Sequence, residues 1–153
     1  CFRQRHFNYF FNSVCIKNGH ISPWYGQIAT SFKTFKSVGS NDIMKDNECS
    51  PMVLRMAKEG KLSNSSIIED AGWHFSYLGG IEEIIKKVGS YSHQEFDTPE
   101  FMDRELLKKR VMSGEDVFGR SGYPSIQYID IDESFPKFVV NNKDKYKHLI
   151  FEK

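Results

Sequence analysis

The stretch Ala71-Gly72-Trp73-His74-Phe75-Ser76-Tyr77-Leu78-Gly79-Gly80 decides how this chain is read. It follows the acidic pair Glu69–Asp70 and runs directly into Ile81-Glu82-Glu83-Ile84-Ile85-Lys86-Lys87-Val88. Glycine at this density lets backbone come close to a ligand, and tryptophan and tyrosine at the rim can stack on a ring. Ile81, Ile84, Ile85 and Val88 fall at i, i+3, i+4 and i+7, one apolar face of a helix, with Glu82, Glu83, Lys86 and Lys87 away from it and Gly89 as the stop. The order of parts is therefore a short buried strand (Ser65 to Ile68), the acidic pair, an aromatic–glycine loop, and a helix that opens on two carboxylates. Glu82 and Glu83 could do no more than complement the helix dipole, or one of them could face a substrate as a general base.

Working outward, Phe7, Tyr9 and Phe11 alternate with strand period, although Phe7, Phe10, Phe11 and Val14 also fit a helical stripe; both readings stay open. Asn18-Gly19 is a turn, and Ile21-Ser22-Pro23 restarts the chain in extended form. Trp24 to Phe35 reads as a short strand followed by a helical or loop segment. Residues 38–51 read as a surface loop, and Ser50, Pro51 and Gly60 bound a helix from Pro51 to Glu59. Downstream, Thr98 and Pro99 are read as opening a helix that runs to about Met112 before Ser113-Gly114. Ile126 to Ile131 is a strand. Phe135 to Phe151 is a Pro136-initiated helix, a polar turn and an apolar tail. Alternating short strands and helices give an α/β or α+β class.

Composition narrows the function. The chain has 153 residues, the size of one domain, with 13 phenylalanines, 7 tyrosines and a formal net charge of +1. Balanced, dispersed charge argues against nucleic acid as a partner. No run of 18 apolar residues encodes a membrane span. Cysteines at 1, 15 and 49, without CxxC, read as reduced thiols of a cytosolic-type compartment, which places the protein in the cytoplasm. An aromatic run directly after Cys1 belongs inside a fold, so the chain is read as part of a longer one.

Three groups could carry chemistry. The 71–80 loop is the first. His93-Gln94-Glu95-Phe96-Asp97 is the second; a histidine and a carboxylate two residues apart can share a metal or a proton, and surface polarity is the ordinary reading. Gly114 to Arg120 is the third, read as a turn with Arg120 solvated or bridged to an acid. Ser76 lacks a GxSxG context.

These residues carry a resemblance. The 71–80 block, the following Ile81-Glu82-Glu83-Ile84-Ile85-Lys86-Lys87 and Ser92-His93-Gln94-Glu95 resemble glycosyltransferase family 17, the β-1,4-mannosyl-glycoprotein 4-β-N-acetylglucosaminyltransferase family. Phe7 to Asn12, Trp24 with Gly26, Leu54-Arg55, Gly114 to Gly119 and Pro136-Lys137-Phe138 extend the similarity over nearly the whole chain. Phe75-Ser76-Tyr77-Leu78 stand where the animal enzymes have cysteine and tryptophan after Trp-His, so the resemblance is to microbial or viral-type members.

The resemblance implies an α/β chain, the C-terminal part of a GT-A-like nucleotide-sugar transferase fold with a mixed sheet and flanking helices. Residues 1–153 would form one domain, the acceptor-side half of the catalytic domain. It implies inverting transfer from UDP-N-acetylglucosamine to a glycan acceptor, with a divalent cation, manganese or magnesium. Glu82 is then the expected base, with Glu83 and Asp70 as rivals. Trp73 and Tyr77 would stack on a sugar, His74 would bond to acceptor or diphosphate, Gly79 and Gly80 would form the loop, and His93 would be a metal ligand. The family's Asp-x-Asp motif is not matched; Asp130-Ile131-Asp132 has the spacing but lies far C-terminal. The alternatives are a non-catalytic carbohydrate-binding or interaction module, and a metal hydrolase built on His74, His93 and Glu95.

Overall fold

Period-two alternation wins over the helical stripe at the start of the chain. In the computed structural model, which describes residues 1–29, 31, 33, 66–90 and 98–152, Phe2–Asn8 is strand β1 and Ser13–Lys17 is strand β2. They pair antiparallel with Phe7 opposite Val14. Asn18 and Gly19 both take left-handed backbone (φ 53 and 77), the turn conformation that returns β2 into β3, His20–Ile21. Pro23–Gln27 is β4, Trp73–Ser76 is β5 and Ser125–Tyr128 is β6. The strand order is β3-β2-β1-β4, with β5 paired to β1 and β6 to β2, a mixed six-stranded sheet. With the helices below, the chain is α/β in the broad sense. The expected helix from Pro51 to Glu59 lies outside the described residues.

The chain divides into two compact units, residues 1–4 with 23–72 and residues 5–22 with 73–153. In the first, Phe2 and Ile68 form a lone parallel bridge, and Arg3 pairs with Glu69 at 2.6 Å. The expectation of a short buried strand at 65–68 is corrected: Ile67 and Ile68 are 50% and 51% exposed. Two backbone bonds, Ile68 N–H to Cys1 O and Arg3 N–H to Ile68 O, fix the chain there without covering its side chains.

In the second unit, residues 5–8 of β1 run parallel to β5, with Arg5 opposite Trp73, His6 opposite His74, Phe7 opposite Phe75 and Asn8 opposite Ser76. Alternation then sorts the pairs. Phe7, Phe75 and Trp73 face a cluster with Val14 and Phe135; the Phe7 ring lies 5.1 Å from Phe75 and 5.5 Å from Phe135. His6, Asn8, His74 and Ser76 share the other side. A second cluster joins Tyr9, Tyr77, Ile84, Val88, Leu107, Val111, Val117 and Phe118.

Two helices serve that second cluster. α1, Ile81–Gly89, buries Ile84 and Val88, as the apolar spacing predicts. α2, Arg104–Ser113, begins five residues later than the Thr98–Pro99 signal predicts. Thr98 instead closes a single turn with Met102 N–H, and Asp103 takes the cap, its Oδ1 accepting from Leu106 N–H at 2.7 Å. Aspartate in extended backbone is a stronger N-cap residue than threonine. Gly114 ends α2 in left-handed backbone (φ 72), where a Cβ would also come within 2.8 Å of Ile126. β6 stops at Tyr128, short of the expected Ile131. The Pro136 segment gives only one helical turn, α3, Lys137–Val140, then turns and a 3-10 segment, Lys147–Leu149.

Candidate functional site

The 71–80 stretch is not one loop. Its central four residues form β5, because Trp73 and Phe75 on one side and His74 and Ser76 on the other are a strand alternation that the flanking glycines disguise. What remains as turn is Tyr77 to Gly80. β1 and β5 end side by side at Asn8 and Ser76, and each is followed by a tyrosine in left-handed backbone, Tyr9 at φ 72 and Tyr77 at φ 56. Bulky residues seldom adopt that conformation, and such positions gather at functional sites. Tyr9 N–H donates to Ser76 O at 3.0 Å, locking the two strand ends together. Gly79 then turns at φ 96, where an added Cβ would press on the Glu83 side chain, 3.0 Å from its Cγ; Gly80 leads into α1.

On the polar side of the pair, the His6 and His74 rings lie 5.5 Å apart. Burial holds both imidazoles neutral, each pushed down to about 4. The Asn8 side chain opposes this at His6, while His6 and Lys87 add to it at His74. Lys87 of α1 leans in, its Nζ donating to Ser76 Oγ at 2.9 Å and standing 4.4 Å above the Tyr77 ring. Partial burial lowers its pKa. Asn8 is fully buried and its Nδ2 donates to Tyr123 Oη at 2.7 Å. Burial pushes the Tyr123 phenol up to about 12. Ser13 Oγ donates to Asn8 O, tying β2 to the same strand end.

The 114–126 segment walls this region. Asp116, 5% exposed, accepts from Arg120 at Oδ2 (Nε, 2.8 Å) and Oδ1 (Nη2, 2.8 Å), and from the Arg120 backbone N–H at 2.9 Å. Arg120 therefore bridges to an acid, one of the two expected outcomes. Its guanidinium also lies 4.9 Å from the Phe118 ring and 5.0 Å from Tyr123. Hydrogen bonding to Asp116 raises its pKa further. An open cleft of about 380 Å³ is bounded by Glu115, Asp116, Arg120 and Tyr123 among others.

The sequence candidates are distributed as follows. Glu82 and Glu83 are exposed on the first turn of α1. Arg104 forks onto Glu82 (Nε–Oε1 2.8 Å, Nη2–Oε2 3.0 Å), and that hydrogen bonding lowers the Glu82 pKa. Glu83 lies 3.7 Å from Lys86. His74 is on the polar side with Lys87. Trp73 is on the apolar side, its Nε1 donating to Ser134 O at 3.1 Å. Tyr77 is a core residue, 9% exposed and packed near Tyr9, Phe118 and Lys87. Asp70, in left-handed backbone at φ 48, belongs to the first unit. His93 and Glu95 lie outside the described residues. The resemblance implies a divalent cation; among the described residues no three His, Cys, Asp or Glu side chains group to hold one.

Four residues of the site escaped the sequence reading: His6, Asn8, Lys87 and Tyr123. His6 and Asn8 carried a signal, since they occupy the off-beats of the same period-two run that places Phe7 in the core. Lys87 was expected away from the apolar face of α1 and is exposed, yet its Nζ reaches the sheet edge at Ser76. Tyr123 had no sequence signal.

No family model, curated protein or solved structure matches the chain. None of the described helices is long and apolar enough to cross a membrane. Chemically, the polar side offers one ammonium, two neutral imidazoles and hydroxyls, a set suited to binding an anionic or hydroxyl-bearing ligand.

Proposed function

We propose that this protein transfers N-acetylglucosamine from UDP-N-acetylglucosamine to a glycan hydroxyl, with inversion, as a GT-A-like transferase of the family 17 type. The observation that supports this reading is the 71–80 block together with its geometry: β5 runs parallel to β1 and delivers Gly79 and Gly80 onto a helix that begins with two carboxylates. In α/β folds, ligands bind beyond the carboxyl ends of parallel strands.

In the reaction, the acceptor oxygen attacks the donor sugar's anomeric carbon. The bond from that carbon to the diphosphate oxygen breaks, its electron pair leaves with UDP, and the acceptor proton passes to a base. Glu82 is the proposed base, held ionised by Arg104; Glu83 and Asp70 are its rivals. His74, Gly79 and Gly80 contact the substrates in this reading. A manganese or magnesium ion with His93, and a cytoplasmic location, belong to the same proposal, and no step here runs through the ion.

The test is UDP release and sugar transfer across a panel of glycan acceptors. Glu82→Gln should lower turnover by about 100-fold or more, the usual worth of a positioned base; unchanged turnover would overturn its role, and no transfer by the unaltered protein would overturn the reading. The Arg104 fork, which occupies both Glu82 oxygens, favours one second reading, a carbohydrate-binding module without chemistry. Oligosaccharide binding without UDP release would select it.

A further inference from the structure

We infer that Lys87 is the recognition residue of an oxyanion-binding site on the polar side of the β1–β5 pair, taking a phosphate or a carboxylate. A helical lysine four residues after a glutamate ordinarily pairs with it. Here Glu83 lies beside Lys86 instead, at 3.7 Å, and Lys87 turns inward to Ser76 Oγ at 2.9 Å and the Tyr77 ring at 4.4 Å. Among the described residues no carboxylate pairs with it.

Lys87 is exposed as a residue, and its ammonium, shared between the Ser76 hydroxyl and the Tyr77 ring, has no counter-ion among the described residues. The hydroxyl and the ring hold it in place, but neither carries a full negative charge. Of its three N–H donors, Ser76 takes one, which leaves donors and the full positive charge to meet an oxygen of a phosphate or carboxylate. The neighbouring groups do not compete: His74, set opposite His6, is neutral, and Asn8 and Ser76 carry no charge. The buried carboxylate of Asp116 is already matched by Arg120. The place is also the end of two parallel strands, where the chain turns through left-handed Tyr9 and Tyr77. The site stands on Lys87's own contacts and borrows from the transfer reading only the choice of diphosphate as a probe.

Titration of the protein with inorganic diphosphate, and separately with acetate, at low salt tests this by calorimetry. Saturable binding is expected, weakened about tenfold or more in Lys87→Met, largely retained in Lys87→Arg, and unchanged in Lys86→Met on the same helix. Preference for diphosphate assigns a phosphate ligand, and preference for acetate a carboxylate. Bound anion should also raise the His74 pKa, read from its imidazole proton shifts, and this rise should vanish in Lys87→Met. No saturable binding, or equal binding by Lys87→Met and Lys86→Met, overturns the site. Because no turnover is read, failure of sugar transfer leaves this result standing, and loss of the site leaves the transfer assay to be judged by itself.

Discussion

Trp73 and His74 are neighbours in the chain and end on opposite sides of one strand. On Trp73's side, Phe7, Phe75 and Phe135 pack ring against ring, with Phe7 1% and Phe135 3% exposed. On His74's side, the parallel pair carries His6, Asn8 and Ser76, and the helix packed there reaches in with a lysine. Four residues of β5 thus supply both an apolar core and a polar layer, in which His6, Asn8 and Ser76 are themselves buried. The aromatic content of the 71–80 block is therefore divided: Trp73 and Phe75 hold the sheet to its apolar layer, and His74 and Ser76 are the residues that can meet a ligand together with Lys87.

The comparison breaks most readily by truncation. Phe7→Ala removes the centre of the apolar side and should cost about 3–5 kcal/mol, read as a lower urea midpoint with an unchanged slope. His74→Ala removes less apolar surface and should cost distinctly less; equal losses would erase the difference between the sides. Arg120→Met comes next. It strands the buried Asp116 carboxylate and should cost about 1–3 kcal/mol. Much of that loss should return in the double variant Asp116→Asn/Arg120→Met, because both members of the pair are then uncharged.

A gentler test uses pH. Unfolded imidazoles take up a proton near 6.5, whereas folded His6 and His74 resist until about 4. Between those values the unfolded chain holds more protons, so stability should be flat above about 6.5 and fall as pH drops toward 4. His6→Gln and His74→Gln should each flatten that slope in a series of urea unfolding curves, and an unchanged slope in both would mean the imidazoles are not held neutral. The smallest expected effect is at the surface. Arg104→Gln should leave the urea midpoint nearly unchanged, since the fork on Glu82 is exposed. It should nonetheless return the Glu82 pKa upward toward its ordinary value, moving the acid limb of the transfer rate to higher pH.

Much of this was legible in the chain itself. The 81–88 spacing predicts α1 almost to the residue because four branched apolar positions repeat at helical intervals. Asn18-Gly19 announces its turn by backbone chemistry alone. The N-terminal run is ambiguous as text, and pairing with β2 and β5 settles it as a strand. The glycine-flanked block misleads for a related reason: Gly72, Gly79 and Gly80 raise the loop signal of the window, while the four residues between them pair with β1, a partner some 68 positions earlier by register. Thr98 loses the cap of α2 to Asp103, the better-ranked cap residue, because the Thr98-Pro99 pair reads as a helix start by itself. Lys87 and Tyr123 enter the site through tertiary contact, Lys87 to Ser76 and Tyr123 to Asn8, and neither pairing has a sequence period to betray it.

The division into two sides is the central claim, and a single mapping experiment tests it. Amide and imidazole NMR shifts are followed while UDP-N-acetylglucosamine is titrated into the protein. The account predicts saturable changes at His6, Asn8, His74, Ser76 and Lys87, with Phe75, Phe135 and the Trp73 indole N–H left in place. Saturable changes centred on Phe75, Phe135 and Trp73, with the polar side silent, would contradict it.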